Sequence, residues 1–160
     1  MQVRDAIKCG IDSSELVVNA YLDDLNDAEL LERPHPQCNH INWQVGHLIA
    51  SEHGMLNSLV PGGMPPLPEK IAKYYTKENS GSDNPSDFAT KAELMASHRV
   101  QRDATLKSLS EVSDGDWGKE TGLSYAPTLS TLYTMIGAHW LMHCGQWVIV
   151  RRQLGKPVVI

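Results

Sequence analysis

The segment HWLMHCGQW, from His139 to Trp147, places two histidines four residues apart within an apolar stretch. Residues at this spacing lie on the same face of an α-helix, so both imidazoles can reach one cation. A buried imidazole needs a partner for each ring nitrogen, and a metal ion, a hydrogen-bonding group or water would each serve. The spacing of His139 and His143 alone favours ordinary hydrogen-bonded histidines over metal ligands.

A third imidazole is available in the segment NWQVGHLIASEHGML. On a helix, His47 shares its face with Trp43, Ala50, Gly54 and Ser58. Three of these neighbours are small and leave space beside the imidazole, which is typical of a histidine that lines a cavity together with Trp43. Three neutral imidazoles form an open divalent-metal site, in which water or substrate takes the remaining position.

Hydrophobic periodicity predicts four main helices and almost no strands. We expect them at about residues 3–25, 42–60, 91–110 and 129–154, with a further short helix at about 69–75. Prolines and glycines in PGGMPPLPEK end the second helix, and two long connections flank the third. The sequence therefore predicts a single domain over residues 1–160, an all-α four-helix bundle with long crossover connections.

Charge and composition exclude several classes of protein. The formal net charge is -5 and no cluster of lysines and arginines is present, which argues against a nucleic-acid partner. The N-terminal residues lack the apolar run of a signal peptide, and the most apolar segment, residues 135–150, is too short and too polar to span a membrane. The three cysteines form no CxxC pair and are expected to be reduced. We expect a soluble cytoplasmic protein that acts on a small molecule.

Three further polar residues are candidates for the surroundings of the site. Gln146 follows His143 by one helical turn and either orients a ligand or bound water or packs against a polar neighbour; the sequence favours neither. His98 and Arg102 lie four residues apart on the third main helix, where an arginine could hold an anionic substrate group. The sequence favours the alternative, in which this pair lies at the edge of the bundle.

Other side chains near the histidines have simpler interpretations. Glu52 lies about 140° from His47 around the helix and is expected to be a surface or interhelical carboxylate rather than a ligand. Cys144 is expected to be a small buried side chain. Trp140 and Trp147 form a second stripe, which predicts core packing or, alternatively, a homodimer contact.

The segments NWQVGHLIASE and AHWLMHCGQW together resemble the DinB/YfiT-like superfamily of four-helix-bundle metalloproteins. In that family one histidine of the second helix and an HxxxH pair of the last helix bind a divalent ion, and Gly-Gln commonly follows. The matching positions are His47, His139 and His143, and HCGQ matches the ending. The resemblance extends over nearly the whole chain in helix order. It reverses the preference for ordinary hydrogen-bonded histidines that the spacing alone gave, so we expect the three histidines to bind a metal ion.

The resemblance implies a class of chemistry without choosing a reaction. Family members include thiol-dependent transferases and isomerases as well as hydrolases, so the ion, zinc or nickel, would activate a water or a low-molecular-weight thiol. The resemblance also implies a homodimer. A bundle that binds a metal or ligand without turnover, and an interaction module with purely structural histidines, are the alternatives.

Overall fold

The computed structural model describes residues 2–158, which form six α-helices. They are α1 (Val3–Leu22), α2 (Asp27–Leu30), α3 (Ile41–Leu59), α4 (Glu69–Tyr74), α5 (Lys91–Glu111) and α6 (Leu129–Gln153). Within the described range there is no β-strand, and a single isolated antiparallel β-bridge joins Glu120 and Thr128. The predicted all-α bundle with four long helices is confirmed. The predicted single domain over residues 1–160 stays a prediction, and residues 1, 159 and 160 lie outside the described range.

Three of the four long helices begin at threonine or histidine caps that the sequence provides locally. At the start of α5, the Thr90 side chain accepts the backbone N–H of Glu93, whose carboxylate accepts the N–H of Thr90. The same reciprocal arrangement joins Thr128 and Thr131 at the start of α6. Such capping boxes satisfy N–H groups that have no partner within the helix, and so fix where each helix begins.

The first helix is shorter than predicted. It ends at Leu22 rather than near residue 25, because the chain turns and Asn26 caps the short helix α2. Leu25 is nevertheless buried, as the stripe of apolar residues along α1 predicts. The predicted boundaries of the other three long helices agree with the structure to within one residue.

The four long helices pack as a bundle in which α1 lies along α6 and α3 lies along α5, with a further contact between α3 and α6. The α1–α6 contact is close, since a Cβ added at Gly137 would lie 3.3 Å from the carbonyl oxygen of Gly10. Trp140 and Trp147 are 1% and 0% exposed, so their predicted role in core packing is confirmed and a partner chain cannot reach their indoles. No helix within residues 2–158 is long and apolar enough to cross a bilayer.

A glycine on α3 allows the following connection to pack tightly against that helix. A Cβ at Gly46 would lie 2.0 Å from a ring carbon of Tyr75, the residue that follows α4. The Tyr75 hydroxyl donates to Asn42 Oδ1 at 2.8 Å and accepts the backbone N–H of Ala89 at 2.7 Å. The chain before α5 is therefore tied to α3 beside His47, and only glycine fits at position 46.

Candidate metal centre

Three histidines from two helices meet between α3 and α6. One ring nitrogen from each of His47, His139 and His143 lies within 4.8 Å of the other two. The ring centroids are 5.6 Å apart for His47 and His139, 5.8 Å for His47 and His143, and 5.0 Å for His139 and His143. We call these residues the histidine triad; a group of this composition and spacing could hold a metal ion.

Burial keeps the triad in the neutral form that binds metals. It lowers the pKa of His143 to about 4, an effect that positive charge on His139 or His47 would add to. Burial also lowers the pKa of His47, with a contribution from His139, and that of His139. An imidazole must be neutral to offer a lone pair, so all three rings are ready to act as ligands at neutral pH.

The first turn of α3 is fixed by a buried imidazole outside the triad. His40 is 0% exposed, and its Nδ1 accepts the backbone N–H of Trp43 at 3.0 Å. Burial and the nearby charge of Arg33 lower the pKa of His40 to about 4, so the ring stays neutral and can accept. This cap satisfies an N–H of the first turn and so fixes where α3 begins, about two turns before His47.

Trp43 forms one wall of the triad, as the sequence predicts for a residue on the His47 face. Its indole stacks on the His47 ring with centroids 4.9 Å apart and planes 5° from parallel. The indole Nε1–H donates to the carbonyl oxygen of Thr76 at 3.2 Å, which holds Trp43 from the opposite side. The His47 ring is therefore positioned by stacking.

His143 is positioned by a hydrogen bond to Gln44, a residue that the sequence did not single out. Its Nδ1 lies 2.8 Å from Gln44 Oε1, which also accepts the indole N–H of Trp147 at 3.0 Å. Gln44 lies three residues before His47 and so shares its side of α3. This spacing is the sequence feature that could have marked Gln44 as part of the site. The Gln44 side chain, 2% exposed, thus links the two helices that carry the triad.

Gln146, the glutamine that the sequence did single out, is exposed on α6. Around the helix it lies about 20° from His139, which is only half-buried, and about 60° from buried His143. Gln146 therefore lies on the solvent-exposed side of the triad, near His139. A role of Gln146 beside a substrate stays a prediction. Cys144 is 2% exposed and its pKa is raised to about 12 by burial, as expected of a small buried side chain.

The expectation that His98 and Arg102 lie at the edge of the bundle is wrong. They are 1% and 5% exposed, and both pack against Trp140, His98 with ring centroids 4.4 Å apart. His98 Nε2 lies 2.8 Å from Glu15 Oε2 on α1, and Arg102 Nη2 donates to Glu52 Oε2 on α3 at 3.0 Å. Acidic partners on two other helices allow His98 and Arg102 to be buried. A role of His98 and Arg102 beside a substrate stays a prediction.

Glu52 is the centre of this second polar group and is buried rather than at the surface. Its Oε1 accepts the Thr105 hydroxyl at 2.6 Å, and its Oε2 accepts the Trp140 indole N–H at 3.0 Å in addition to Arg102. The carboxylate therefore joins α3, α5 and α6. We call Glu52, Arg102, Thr105 and Trp140 the Glu52 cluster.

The fold and the site together define a helical bundle with a three-histidine group between two of its helices. The model of the DinB superfamily matches residues 13–147, and the chain belongs to that superfamily. A crystal structure from Enterococcus faecalis, described as a conserved protein, shares the fold with a TM-score of 0.73 at 17% identity, covering 98% of this chain and 99% of that one. At this identity the likeness shows the fold alone. None of the curated proteins matches the chain.

Proposed function

We propose that the protein is a divalent-metal-dependent enzyme in which His47, His139 and His143 hold the ion. The reaction class is hydrolysis of a small substrate by activated water, or transfer of a low-molecular-weight thiol to a small electrophile. The observation that carries the proposal is the convergence of three ring nitrogens within 4.8 Å of one another. Zinc and nickel are the ions expected, since imidazole suits both.

The donor set fits such an ion. In tetrahedral zinc sites the Zn–N distance is about 2.0–2.1 Å, which places neighbouring nitrogens about 3.3 Å apart. Small side-chain rotations would bring the triad to that spacing from its present one. Three neutral ligands leave the charge of the ion uncompensated, which favours an anion such as hydroxide or thiolate at the remaining position.

The protein's own groups give the site an orientation. Gln44 holds His143, the buried member of the triad, whereas His47, stacked on Trp43, and His139 are both half-buried. A small molecule would therefore approach from the side of His47 and His139. When bound, the ion would lower the pKa of a water or thiol at this open side, so that its proton is released to solvent.

Glu52 is a poor candidate for a general base. Both of its oxygens are engaged by Arg102, Thr105 and Trp140, and the carboxylate is 2% exposed. A base must reach the proton that it abstracts. This supports a mechanism in which a water or thiol would lose its proton through binding to the ion, without a carboxylate of α3 acting as the base.

The first experiment measures metal binding. Protein purified without an affinity tag is analysed for metal content and then titrated with Zn²⁺ and Ni²⁺ by calorimetry. We expect one ion per chain, and loss of that binding in each of His47→Ala, His139→Ala and His143→Ala. His35→Ala, which removes an exposed histidine outside the triad, is the matched control and should bind normally. Unchanged affinity in His139→Ala would refute the triad.

The second experiment measures turnover. The metal-loaded protein is assayed with aryl esters and amides for hydrolysis, and with cysteine or glutathione plus an alkyl or aryl halide for thiol transfer. In the transfer reaction a C–S bond forms as the carbon–halogen bond breaks, and the thiol proton goes to solvent. Metal binding without any turnover across these classes would favour the non-catalytic metal-binding bundle instead.

A further inference from the structure

Gln44 has a role at the triad that its hydrogen bonds define. We propose that Gln44, itself oriented by Trp147, holds His143 in the tautomer that carries its proton on Nδ1 and so presents the Nε2 lone pair to the ion. The metal part of this inference rests on the proposed function. The tautomer does not, because it is a property of the metal-free protein.

The chemistry of three side chains fixes the direction of each hydrogen bond. An indole N–H can only donate, so the Gln44 atom that lies 3.0 Å from Trp147 Nε1 must be the amide oxygen. The amide nitrogen then donates to the carbonyl oxygen of Asn39 at 2.7 Å, which agrees with that orientation. Because an oxygen faces His143 Nδ1 at 2.8 Å, this ring nitrogen must carry the hydrogen.

Burial makes this arrangement difficult to replace with water. Gln44 is 2% exposed, Trp147 is 0% exposed and His143 is 8% exposed. If the Gln44 amide reversed, its NH₂ group would face the indole N–H, and neither donor would have an acceptor. The tautomer of His143 is therefore set by two residues that do not belong to the triad.

The other two imidazoles are held differently. Within the described part of the chain, the hydrogen bond that His143 Nδ1 donates to Gln44 Oε1 is the one between a ring nitrogen of the triad and another protein group. His47 is supported by the Trp43 ring, and His139 lies at the half-buried edge. His143 is consequently the ligand whose metal-binding atom is chosen before an ion arrives, which lowers the cost of ordering the site.

The direct test determines the tautomer in the metal-free protein. Histidine is labelled with ¹⁵N, and two-bond ¹H–¹⁵N correlation spectra are recorded at about pH 8, where imidazoles are neutral. The signals of His143 are assigned by their loss in His143→Gln. We expect protonated Nδ1 and unprotonated Nε2 for His143. A proton on Nε2 would overturn the proposal whether or not the protein binds metal.

Two substitutions of Gln44 separate positioning from a general packing role. Gln44→Met keeps the length of the side chain and removes the acceptor, so we expect loss of the fixed tautomer and about 10–100-fold weaker Zn²⁺ binding. Gln44→Glu keeps the acceptor for His143 and Trp147 but loses the donor to Asn39, so the Nδ1–H tautomer and Zn²⁺ affinity should be retained while the protein becomes less stable. Equal losses in both variants, or no change in Gln44→Met, would contradict positioning. Gln153→Met, at an exposed glutamine near the end of α6, is the matched control and should change neither property.

A third variant tests the control of Gln44 by Trp147. Trp147→Phe removes the indole N–H and leaves the Asn39 carbonyl as the one group that orients the amide, so a minor Nε2–H tautomer of His143 should become detectable. A single retained Nδ1–H tautomer in this variant would refute the role of Trp147. If Gln44→Met does not fold, Trp147→Phe and the wild-type spectrum decide the question. A fixed Nδ1–H tautomer in a protein that binds no Zn²⁺ would overturn the proposed function and leave the positioning of His143 intact.

Discussion

The histidine triad and the Glu52 cluster both place polar side chains between helices, but they differ in the partners those side chains have. The Glu52 carboxylate accepts hydrogen bonds from three other residues, and one of these is the buried Arg102, with which it forms an ion pair. The triad consists of neutral imidazoles that face one another, with one hydrogen bond from a ring nitrogen, His143 Nδ1, to Gln44 Oε1.

This difference separates a structural polar group from a ligand-binding one. In the Glu52 cluster a donor from another helix meets each carboxylate oxygen, so the Glu52 carboxylate needs no added ligand. In the triad, three ring nitrogens converge with no hydrogen bond between them, an arrangement that an ion would satisfy. The two groups lie on the same pair of helices, since α3 carries His47 and Glu52 and α6 carries His139 and Trp140. Each can therefore be altered while the other serves as the reference.

The largest effect is expected from Glu52→Ala. It leaves the Arg102 charge buried without its partner and removes an acceptor from Thr105 and Trp140. We expect the free energy of unfolding to fall by about 3–5 kcal/mol, measured by urea denaturation. Glu32→Ala, at an exposed glutamate, should change it by less than about 0.5 kcal/mol. A loss below about 1 kcal/mol for Glu52→Ala would remove the structural role of the cluster.

A smaller loss is expected from Gly46→Ala, which disturbs α3 directly beside His47. The added Cβ would overlap the Tyr75 ring, so we expect a loss of about 1–3 kcal/mol in unfolding free energy. Gly54→Ala on the same helix meets no atom within 4 Å and should stabilise the protein by about 0.5–1 kcal/mol. Thermal and urea unfolding of the two variants measure the contrast, and equal effects would contradict it.

The triad should show itself in the acid stability of the metal-free protein. Because burial lowers the pKa of His143 from 6.5 to about 4, the unfolded chain binds a proton at this residue before the folded one does. Stability is therefore lost as the pH falls from about 6.5 to about 4, by at most about 1.4 kcal/mol per pH unit for this group.

Urea denaturation across that pH range tests the sign. His143→Gln cannot take up the proton, so its stability should depend less steeply on pH than that of the wild type. Gln146→Ala should have the wild-type slope. An identical slope in wild type and His143→Gln would show that the burial of this imidazole is not linked to folding.

The smallest effect is expected from Gln146→Ala. The side chain is exposed, and the glutamine that bonds to His143 is Gln44. We expect Zn²⁺ affinity to change less than about twofold and stability by less than about 0.5 kcal/mol, measured by calorimetry and denaturation. A tenfold loss of affinity would extend the site to the exposed face of α6.

The sequence predicts the helices and the pair of histidines on α6 for reasons that are local. Apolar periodicity marks α1, proline and glycine end α3, and the four-residue step from His139 to His143 places both rings on one face. The convergence of His47 with that pair is a non-local fact, which the sequence indicated through the family resemblance. Residue types and spacing therefore account for most of the fold, and the resemblance was needed to join the three candidate ligands.

The supporting contacts could not be read from the sequence. Arg102 and Glu52 are 50 positions apart, and their pairing depends on the rotation of α5 against α3. Gln44 and Gln146 are equally plausible partners for His143 until the depth of each side chain is known. Burial, pKa values and hydrogen-bond direction follow from packing between helices, which periodicity does not specify.

The division of the triad between α3 and α6 has a consequence for chain topology. His47 and His139 are about 90 residues apart, and the segment between them contains α4 and α5. An ion held by both helices would join the two ends of this loop in the folded chain and would be released on unfolding, so it would stabilise the fold by binding it in preference to the unfolded chain. Separating α3 from α6 would then require loss of a ligand from the ion, so removal of the ion should speed global unfolding.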